Sequence, residues 1–544
     1  MAFCLLKRAS ILFGDKTFIE EGNQKISFKE LYEFSLNFDE LLQNIPHKII
    51  LLKASFSLVY IALILAIIRN DKIYLPISIK EPQVFIDKIK DEVQGYYLDI
   101  DEIIHDYSSK LKVSDKNNLL EQKLENSNAE TNEESVKTAI KNFFKNFTET
   151  FPQSSLPEYL DFFKENNLRD FSDLDDSESN LINFTKKFMV RFLSNPINIL
   201  LSSGSTGHPK KIVHSLSSHI GNALGSQQVF KVNSRDFYLL NMPLNHVGGQ
   251  SIIFKALIFG FKIVIKNEDE TISDLLINNK LSLLSLVPTM AYRLINDKNL
   301  PLKETKTLRG ILLGGAHIDK NLVDELVKQN PKLKIYVSYG STEMASQIAT
   351  GEITSKDFKV EVLPFRELKI DPLTSEILVK GETLAKGYLI NQKISKITDN
   401  EGYFHTRDLG LITNNGLEIK GRIDNMFISG GENISPETIE KVLLENPNIA
   451  SCVIVPHKDS EWGQIGVALI NLNENSNLNN ILPKNSDIFL DEKTVLELKE
   501  YLRRFLNPIY IPKKFLVWPQ NIDFNFKIKR SVLIEYVDKV LKEE

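Results

Sequence analysis

The chain has 544 residues, room for about three or four domains at roughly 150 residues each, so a peptide or a stapled miniature scaffold is excluded. With 42% hydrophobic and 25% charged residues it has an ordinary globular composition, and 66 Lys and Arg against 71 Asp and Glu leave a formal net charge of −5, which gives no global reason to bind nucleic acid. Cys4 and Cys452 supply neither a disulfide framework nor a four-thiolate zinc site; they suit a reducing compartment and are expected to do no chemistry.

Met1 to Arg8 lacks the basic stretch, apolar core and small-residue cleavage site of a secretory leader, so a cytoplasmic location is expected. Ala54 to Ile68, flanked by Lys53 and Arg69, is shorter than the ~20 residues a bilayer crossing needs and contains Ser55 and Ser57. A buried helix is predicted there and no integral membrane segment. The order from Lys48 to Ile79, apolar run, apolar helix and the strand-like Lys72 to Ile77, predicts a β-α-β unit. Ser108 to Ser135 is crowded with Asn, Ser, Glu and Lys and reads as a solvated linker. Val136, Ile140, Phe143, Phe144 and Phe147 then recur at helical spacing, followed by Tyr159 to Phe163 and Phe184 to Phe192. These predict amphipathic helices that either pack on the main body or present a partner surface. From Asn195 onward, strand-like runs at Ile197 to Leu201, Phe237 to Asn241, Phe261 to Ile265, Leu281 to Val287 and Gly310 to Leu313 alternate with helical patterns. That predicts a mostly parallel sheet covered by helices. A break at Gly421-Arg422-Ile423-Asp424 opens a compact final region.

Two stretches carry chemistry. In the first, Ile199-Leu200-Leu201 leads into Ser202, Ser203, Gly204, Ser205, Thr206 and Gly207, and then His208-Pro209-Lys210-Lys211. Small, hydroxylated residues let backbone N–H groups and hydroxyls converge on phosphate oxygens, and Lys210 adds a mobile charge. The spacing is not that of the Walker loop, and a surface turn would use the same residues. In the second, Ile335 to Glu343, a strand ends in a glycine turn. Thr342 could bond a phosphoryl oxygen, Glu343 could hold Mg²⁺ and Tyr339 could stack on a base. Alternatively this is a helix start, capped by Ser341 or Thr342 with Glu343 in the first turn.

Taken together these stretches resemble the adenylate-forming superfamily of acyl-CoA synthetases, peptide-synthetase adenylation domains and luciferases. Further stations follow in order at Asn241 to His246, Leu313 to Ala316, Gly381 to Tyr388, Tyr403 to Asp408 and Gly421 to Met426. The resemblance implies an α/β fold: a large N-terminal layered α/β domain with mixed sheets over 1-422, with an insertion-like, partly linker region about 108-195. A small mobile α+β C-terminal lid over 424-544 would carry the catalytic lysine. It implies a carboxylate activated by ATP with Mg²⁺ as an acyl-adenylate, then transferred to a thiol such as coenzyme A. Carried over, the loop Ser202 to Lys210 holds the β- and γ-phosphates, Thr342 touches the α-phosphate and Glu343 binds Mg²⁺. Gly315, Ala316 and Tyr339 frame adenine, Asp408 grips the ribose hydroxyls and Arg422 assists at ribose or phosphate. Asp424 falls on the hinge. Lys527, in Phe526-Lys527-Ile528-Lys529-Arg530, matches the catalytic lysine although the preceding glycine is missing; Lys529 is its competitor. His246 occupies the gate between acyl pocket and thiol channel. No metal-ligand spacing unites His214, His219 and His405.

Three spellings, Tyr339 to Ala349, Thr406-Arg407-Asp408 with Arg in place of the usual Gly, and Asn425 to Glu437, resemble the branch that ligates o-succinylbenzoate to coenzyme A in menaquinone synthesis. On that resemblance Gly430 and Gly431 line the coenzyme A channel, and the acyl pocket draws on His246 to Ser251, Pro288-Thr289 and Met344 to Ser346. Departures are Lys211 where a glycine usually closes the loop, the stretch before Lys527, and the long region from 100 to 195. Two other readings stay open: a synthetase for another aromatic or fatty acid, and a non-catalytic adenylate-binding scaffold. The partners expected are the carboxylic acid, ATP and coenzyme A, with a homodimer left open.

Overall fold

The computed structural model describes residues 4–22, 24–101, 103, 140–141, 161, 163–166, 178–202, 209–267, 269–297, 300, 302, 305–315, 318, 320–354, 359–414, 416–473, 488–519 and 530–542. Among these, the strands form five sheets. In the largest, the strands Thr17–Glu21, Lys262–Ile265, Phe237–Leu239, Leu283–Leu286, Gly310–Gly314 and Lys334–Ser341 run parallel to their neighbours, and antiparallel strands flank them at both ends. The parallel strands are short apolar runs such as Leu-Leu-Ser-Leu, as expected where helices cover both faces. A seven-stranded sheet joins Ile49–Ala54, Ile73–Ser78 and Pro196–Ser202 in parallel, then Lys210–Ser215, Gly387–Ile390 and Lys393–Ser395 in antiparallel.

The fold is α/β with several mixed sheets, a large N-terminal part and a small C-terminal one. The mostly parallel sheet expected after Asn195 forms from Phe237–Leu239, Lys262–Ile265, Leu283–Leu286 and Gly310–Gly314, whereas Pro196–Ser202 joins the seven-stranded sheet. From Ser346 to Ile434 the named strands pair antiparallel, and Arg366–Ile370, Glu376–Gly381, Phe404–Thr413 and Gly416–Arg422 make a separate four-stranded sheet. Phe404–Thr413 begins with alternating buried and exposed residues, the pattern of a sheet with one wet face, which permits antiparallel neighbours without covering helices.

The apolar stretch after Lys53 forms the helix Leu58–Arg69, with the Ser57 hydroxyl accepting from the Tyr60 N–H at its start. Val59 through Ile68 are all buried. No helix among the described residues is long and apolar enough to cross a membrane. The helix Glu178–Phe192 packs Leu181, Phe184, Phe188 and Met189 into the main core, where Ile140 and Phe163 also lie. Its apolar face therefore packs on the body. The linker-like stretch Ser108 to Ser135, together with Val136, Phe143, Phe144 and Phe147, lies outside the described residues.

The C-terminal region builds its own interior. Phe427, Ile434, Leu443, Ile454 and Phe515 belong to one cluster, and Val455, Leu469, Trp518 and Val537 to another. Every buried member of these two clusters falls between residues 427 and 537.

Candidate functional site

The hydroxyl-rich loop bridges two antiparallel strands, Pro196–Ser202 and Lys210–Ser215, which are in register from Ser202 opposite Lys210 back to Asn198 opposite His214. Both of its feet are thus pinned by sheet hydrogen bonds. Ser203, Gly204, Ser205, Thr206 and Gly207 lie outside the described residues. Lys210 places its Nζ 5.3 Å from the centroid of the Tyr388 ring. Lys211, which stands where glycine was expected, turns its ammonium to Glu92 at 2.6 Å, on the helix Gln83–Val93. Its charge is used within the fold.

The second stretch emerges from the largest sheet beside Gly314 and Gly315. Lys334–Ser341 runs parallel to Gly310–Gly314 with Ser338 opposite Gly314. Gly315 follows at φ +82°, so the backbone there stays bare; Ala316 lies outside the described residues. After Ser341 the chain makes one 3-10 turn, Thr342–Met344, and doubles back as Ser346–Ile353 through Ala345 at φ +52°. A side chain at Gly340 would sit 1.7 Å from the Ser346 carbonyl oxygen, so only glycine permits that reversal. The capped helix start is therefore not what forms: Ser341 precedes a three-residue turn and caps nothing with its side chain.

Around Asp408 three of the predicted residues meet. The Tyr339 hydroxyl donates to Asp408 Oδ2 at 2.7 Å, and Arg422 Nη1 donates to Oδ1 at 2.7 Å. Burial, and then the neighbouring Asp408 charge, push the Tyr339 phenol well above its ordinary range, so it stays a donor. Burial opposes the Arg422 charge, but Asp408 and Asp424 more than offset this and hold its pKa up. Asp424 accepts from Arg422 Nη2 at 3.4 Å and from Arg407 at 3.1 Å.

Thr342 and Glu343 are half-buried at the turn. Their backbone is anchored from behind, where the Glu343 carbonyl accepts from the Ala385 N–H at 2.7 Å, and Thr342 lies near the buried His214 ring, whose pKa burial lowers to about 4. The Tyr388 hydroxyl donates to Glu343 Oε1 at 3.0 Å. Among the described residues no group of three or more His, Cys, Asp and Glu can cage a metal. One hard carboxylate suits Mg²⁺, which keeps several waters and takes phosphate oxygens rather than an all-protein cage.

The remaining predicted residues are dispersed. His246 is exposed at the start of the helix Val247–Phe259. Gly430 and Gly431, at φ +56° and +86°, form the turn between Phe427–Ser429 and Glu432–Ile434. A side chain at Gly430 would meet the Trp462 ring at 2.8 Å, whereas Gly431 faces open space. Met344 is fully buried in the core and so lines no open pocket, whereas Ser346 is half-buried. Lys527 and Lys529 lie outside the described residues. His405 pairs with Glu376 at 2.9 Å and with Asp399 at 3.5 Å. Cys4 and Cys452 are both buried, and burial raises both thiol pKa values.

The sequence reading missed two residues. Tyr388 closes a recognised station but was given no role. Lys255, midway along the apolar helix Val247–Phe259, is buried with its pKa lowered to about 7, chiefly by burial and then by Arg366; its Nζ donates to Gln347 Oε1 at 2.6 Å. A lone lysine in a thirteen-residue helix of mostly apolar residues was the available signal.

A model of the AMP-binding enzyme family matches residues 6–389, and a model of the AMP-binding enzyme C-terminal domain matches residues 438–522. The chain belongs to the AMP-binding enzyme family. A similar AMP-binding enzyme is the 2-succinylbenzoate–CoA ligase of Haemophilus influenzae, 36% identical over 345 residues, which are 63% of this chain and 71% of that one. The ligase of the same name from Salmonella typhimurium is 32% identical over 342 residues, 63% and 69% of the two chains. Among solved structures, an E. coli MenE variant with bound OSB-AMS superposes with a TM-score of 0.70 at 23% identity, covering 99% of both chains. ATP-bound MatB from Rhodopseudomonas palustris gives 0.73 at 18% identity, covering 99% and 100%. Such identities establish the fold that AMP-binding enzymes share.

Proposed function

We propose that this AMP-binding enzyme is an ATP-dependent acid–thiol ligase that adenylates o-succinylbenzoate and passes the acyl group to coenzyme A, a step of menaquinone synthesis. The observation that carries the reading is the continuity of one polar surface. Tyr339, Asp408 and Arg422 converge at the end of a strand that runs directly into Thr342 and Glu343, and Tyr388 links Glu343 to Lys210 at the foot of the hydroxyl-rich loop. The name of the Haemophilus and Salmonella relatives supports the choice of acid.

On this reading the Asp408 carboxylate accepts from the ribose hydroxyls, while Arg422 keeps that carboxylate ionised. Gly315, Ala316 and Tyr339 border the adenine. The loop Ser202 to Gly207 and Lys210 hold the outer phosphates, and Thr342 bonds the α-phosphate. Glu343 would hold Mg²⁺, which neutralises phosphate charge. A substrate carboxylate oxygen attacks the α-phosphorus as pyrophosphate leaves, and Lys527 steadies the charge that develops. The coenzyme A sulfur, arriving past Gly430 and Gly431 and the His246 gate, then attacks the acyl carbon and AMP departs. Activation is needed because a free carboxylate is a poor acyl donor, whereas AMP is a good leaving group.

The boundary between a body over 1-422 and a lid over 424-544, with Asp424 as hinge, belongs to the same proposal. The separate C-terminal clusters support it. The compartment is the cytoplasm, where ATP and coenzyme A are supplied; sedimentation equilibrium decides whether a homodimer forms.

Mass spectrometry of the products from o-succinylbenzoate, ATP and coenzyme A tests substrate and reaction together. The expected species is the acyl-CoA with AMP and pyrophosphate. Preference for a medium-chain fatty acid would sink the substrate, and tight nucleotide binding without turnover on any acid would favour a scaffold.

A further inference from the structure

We infer that Tyr388 is a positioning residue: its hydroxyl fixes the rotamer of the Glu343 carboxylate, and its ring seats the Lys210 ammonium, holding metal ligand and phosphate-binding cation apart before nucleotide arrives. This rests on the reading of Glu343 and Lys210 above. Tyr388 belongs to the strand Gly387–Ile390, whose antiparallel register with Lys210–Ser215 sets Gly387 opposite Val213 and Tyr388 opposite Ile212. Two backbone bonds secure the approach: Ala385 N–H donates to the Glu343 carbonyl at 2.7 Å and Lys386 N–H to the Val213 carbonyl at 2.8 Å. At Gly387, φ +149°, a side chain would lie 2.2 Å from the Ser395 carbonyl oxygen. The segment is therefore clamped to both halves of the site immediately before the tyrosine.

The choice of side chain follows from charge. An ammonium beside Glu343 would orient the carboxylate but cancel the charge that Mg²⁺ requires; a phenol orients it and leaves the charge intact. The hydroxyl occupies Oε1 at 3.0 Å, and Oε2 carries no hydrogen bond among the described residues. Burial and the Glu343 charge raise the phenol above its ordinary range, so it remains a donor at working pH. The ring does the second task. Lys210 rests 5.3 Å from its centroid, a cation–π distance, and no Lys210–Glu343 ion pair occurs in the structure. Without the ring the two opposite charges would be free to collapse onto each other, leaving neither ready for metal or phosphate.

The test is calorimetric titration of ATP into the full-length protein, in Mg²⁺ and in EDTA, for Tyr388→Phe, Tyr388→Leu, Glu343→Gln and the double variant Tyr388→Phe with Glu343→Gln. Tyr388→Phe is expected to weaken Mg·ATP binding about tenfold, the usual effect of removing a partner that orients a metal ligand, while metal-free ATP binds as in the parent. Tyr388→Leu should weaken both, and the double variant should bind no worse than Glu343→Gln alone. If Glu343→Gln abolishes the gain from Mg²⁺ while Tyr388→Phe retains it within twofold, Tyr388 does not position the ligand. If Glu343→Gln leaves the gain intact, Glu343 is not the metal ligand, and the proposal falls with the reading beneath it. Because Tyr388→Phe keeps the ring, a loss confined to the Mg²⁺ titration separates positioning from general damage to the fold.

Discussion

Arg407 grips Asp424 with two nitrogens of one guanidinium, Nε and Nη2, each 3.1 Å from Oδ1, and does so from a backbone held at φ +64°. A non-glycine residue in that region is strained by about 1–2 kcal/mol, and glycine would adopt it freely. The side-chain contact is what distinguishes arginine here, at the residue proposed as the hinge. Arg407→Gly should therefore melt within a few degrees of the parent, because relieved strain offsets a half-exposed ion pair worth about 0.2–1 kcal/mol. The ratio of adenylation to thiol-transfer rates should change instead. Calorimetric melting with single-turnover assays of each half-reaction checks both; a large fall in melting temperature with an unaltered ratio would make Arg407 a purely structural residue.

Asp408→Asn keeps the shape and removes the charge between Tyr339 and Arg422. Hydrogen bonds to a charged group are worth about 1.5–3 kcal/mol, so ATP and AMP affinity should fall by about ten- to a hundredfold. The stability should move little, since Arg422 is half in solvent and retains Asp424. Titration of AMP gives the answer, and unchanged affinity would remove Asp408 from the ribose site.

Lys255 makes a pH prediction with a definite sign. Its pKa is about 7 in the folded chain against an ordinary 10.5. Between these values the unfolded chain holds a proton that the folded chain has released, so this residue makes stability rise with pH across that window and contributes no slope below about 7. Lys255→Met should abolish that slope in urea denaturation from pH 7 to 10. An unchanged slope in Lys255→Met would show that another group titrates across this window.

Lys527→Ala should cripple formation of the acyl-adenylate yet leave thiol transfer from a supplied acyl-adenylate largely intact. Parallel assays of pyrophosphate release and of AMP release separate the two steps, and equal loss in both would point to another role, with Lys529→Ala as the companion variant.

The strands from Pro196–Ser202 to Gly310–Gly314 that were legible are short apolar runs between helical patterns, whereas Thr17–Glu21, Gln24–Ser27 and Lys210–Ser215, richer in polar residues, were not read. The later strands were not. Arg366–Ile370 and Glu376–Gly381 mix Lys, Glu and Arg with Leu, Ile and Val, and their pairing is set by neighbours rather than by composition. In the site, the hydroxyl-rich loop and the Tyr339 to Glu343 turn announced themselves through glycine and hydroxyl content. The Tyr339–Asp408 bond, spanning 69 positions, and the Tyr388–Glu343 bond, spanning 45, depend on which strands come together. Lys211 looked like a defect in a loop because Glu92, its partner, lies on a distant helix.

The sealed interior between residues 427 and 537 fixes the kind of contact that any swing of that region must break. Its grease stays covered throughout, so the ties that a hinge at Asp424 would loosen include Arg407 to Asp424, Arg422 to Asp424 and the Ser435 hydroxyl to the Lys420 carbonyl. Exposed ion pairs lose strength once the Debye length shrinks below about 10 Å, near 0.1 M salt. Ionic strength, more than heat, is thus the dial that loosens this joint.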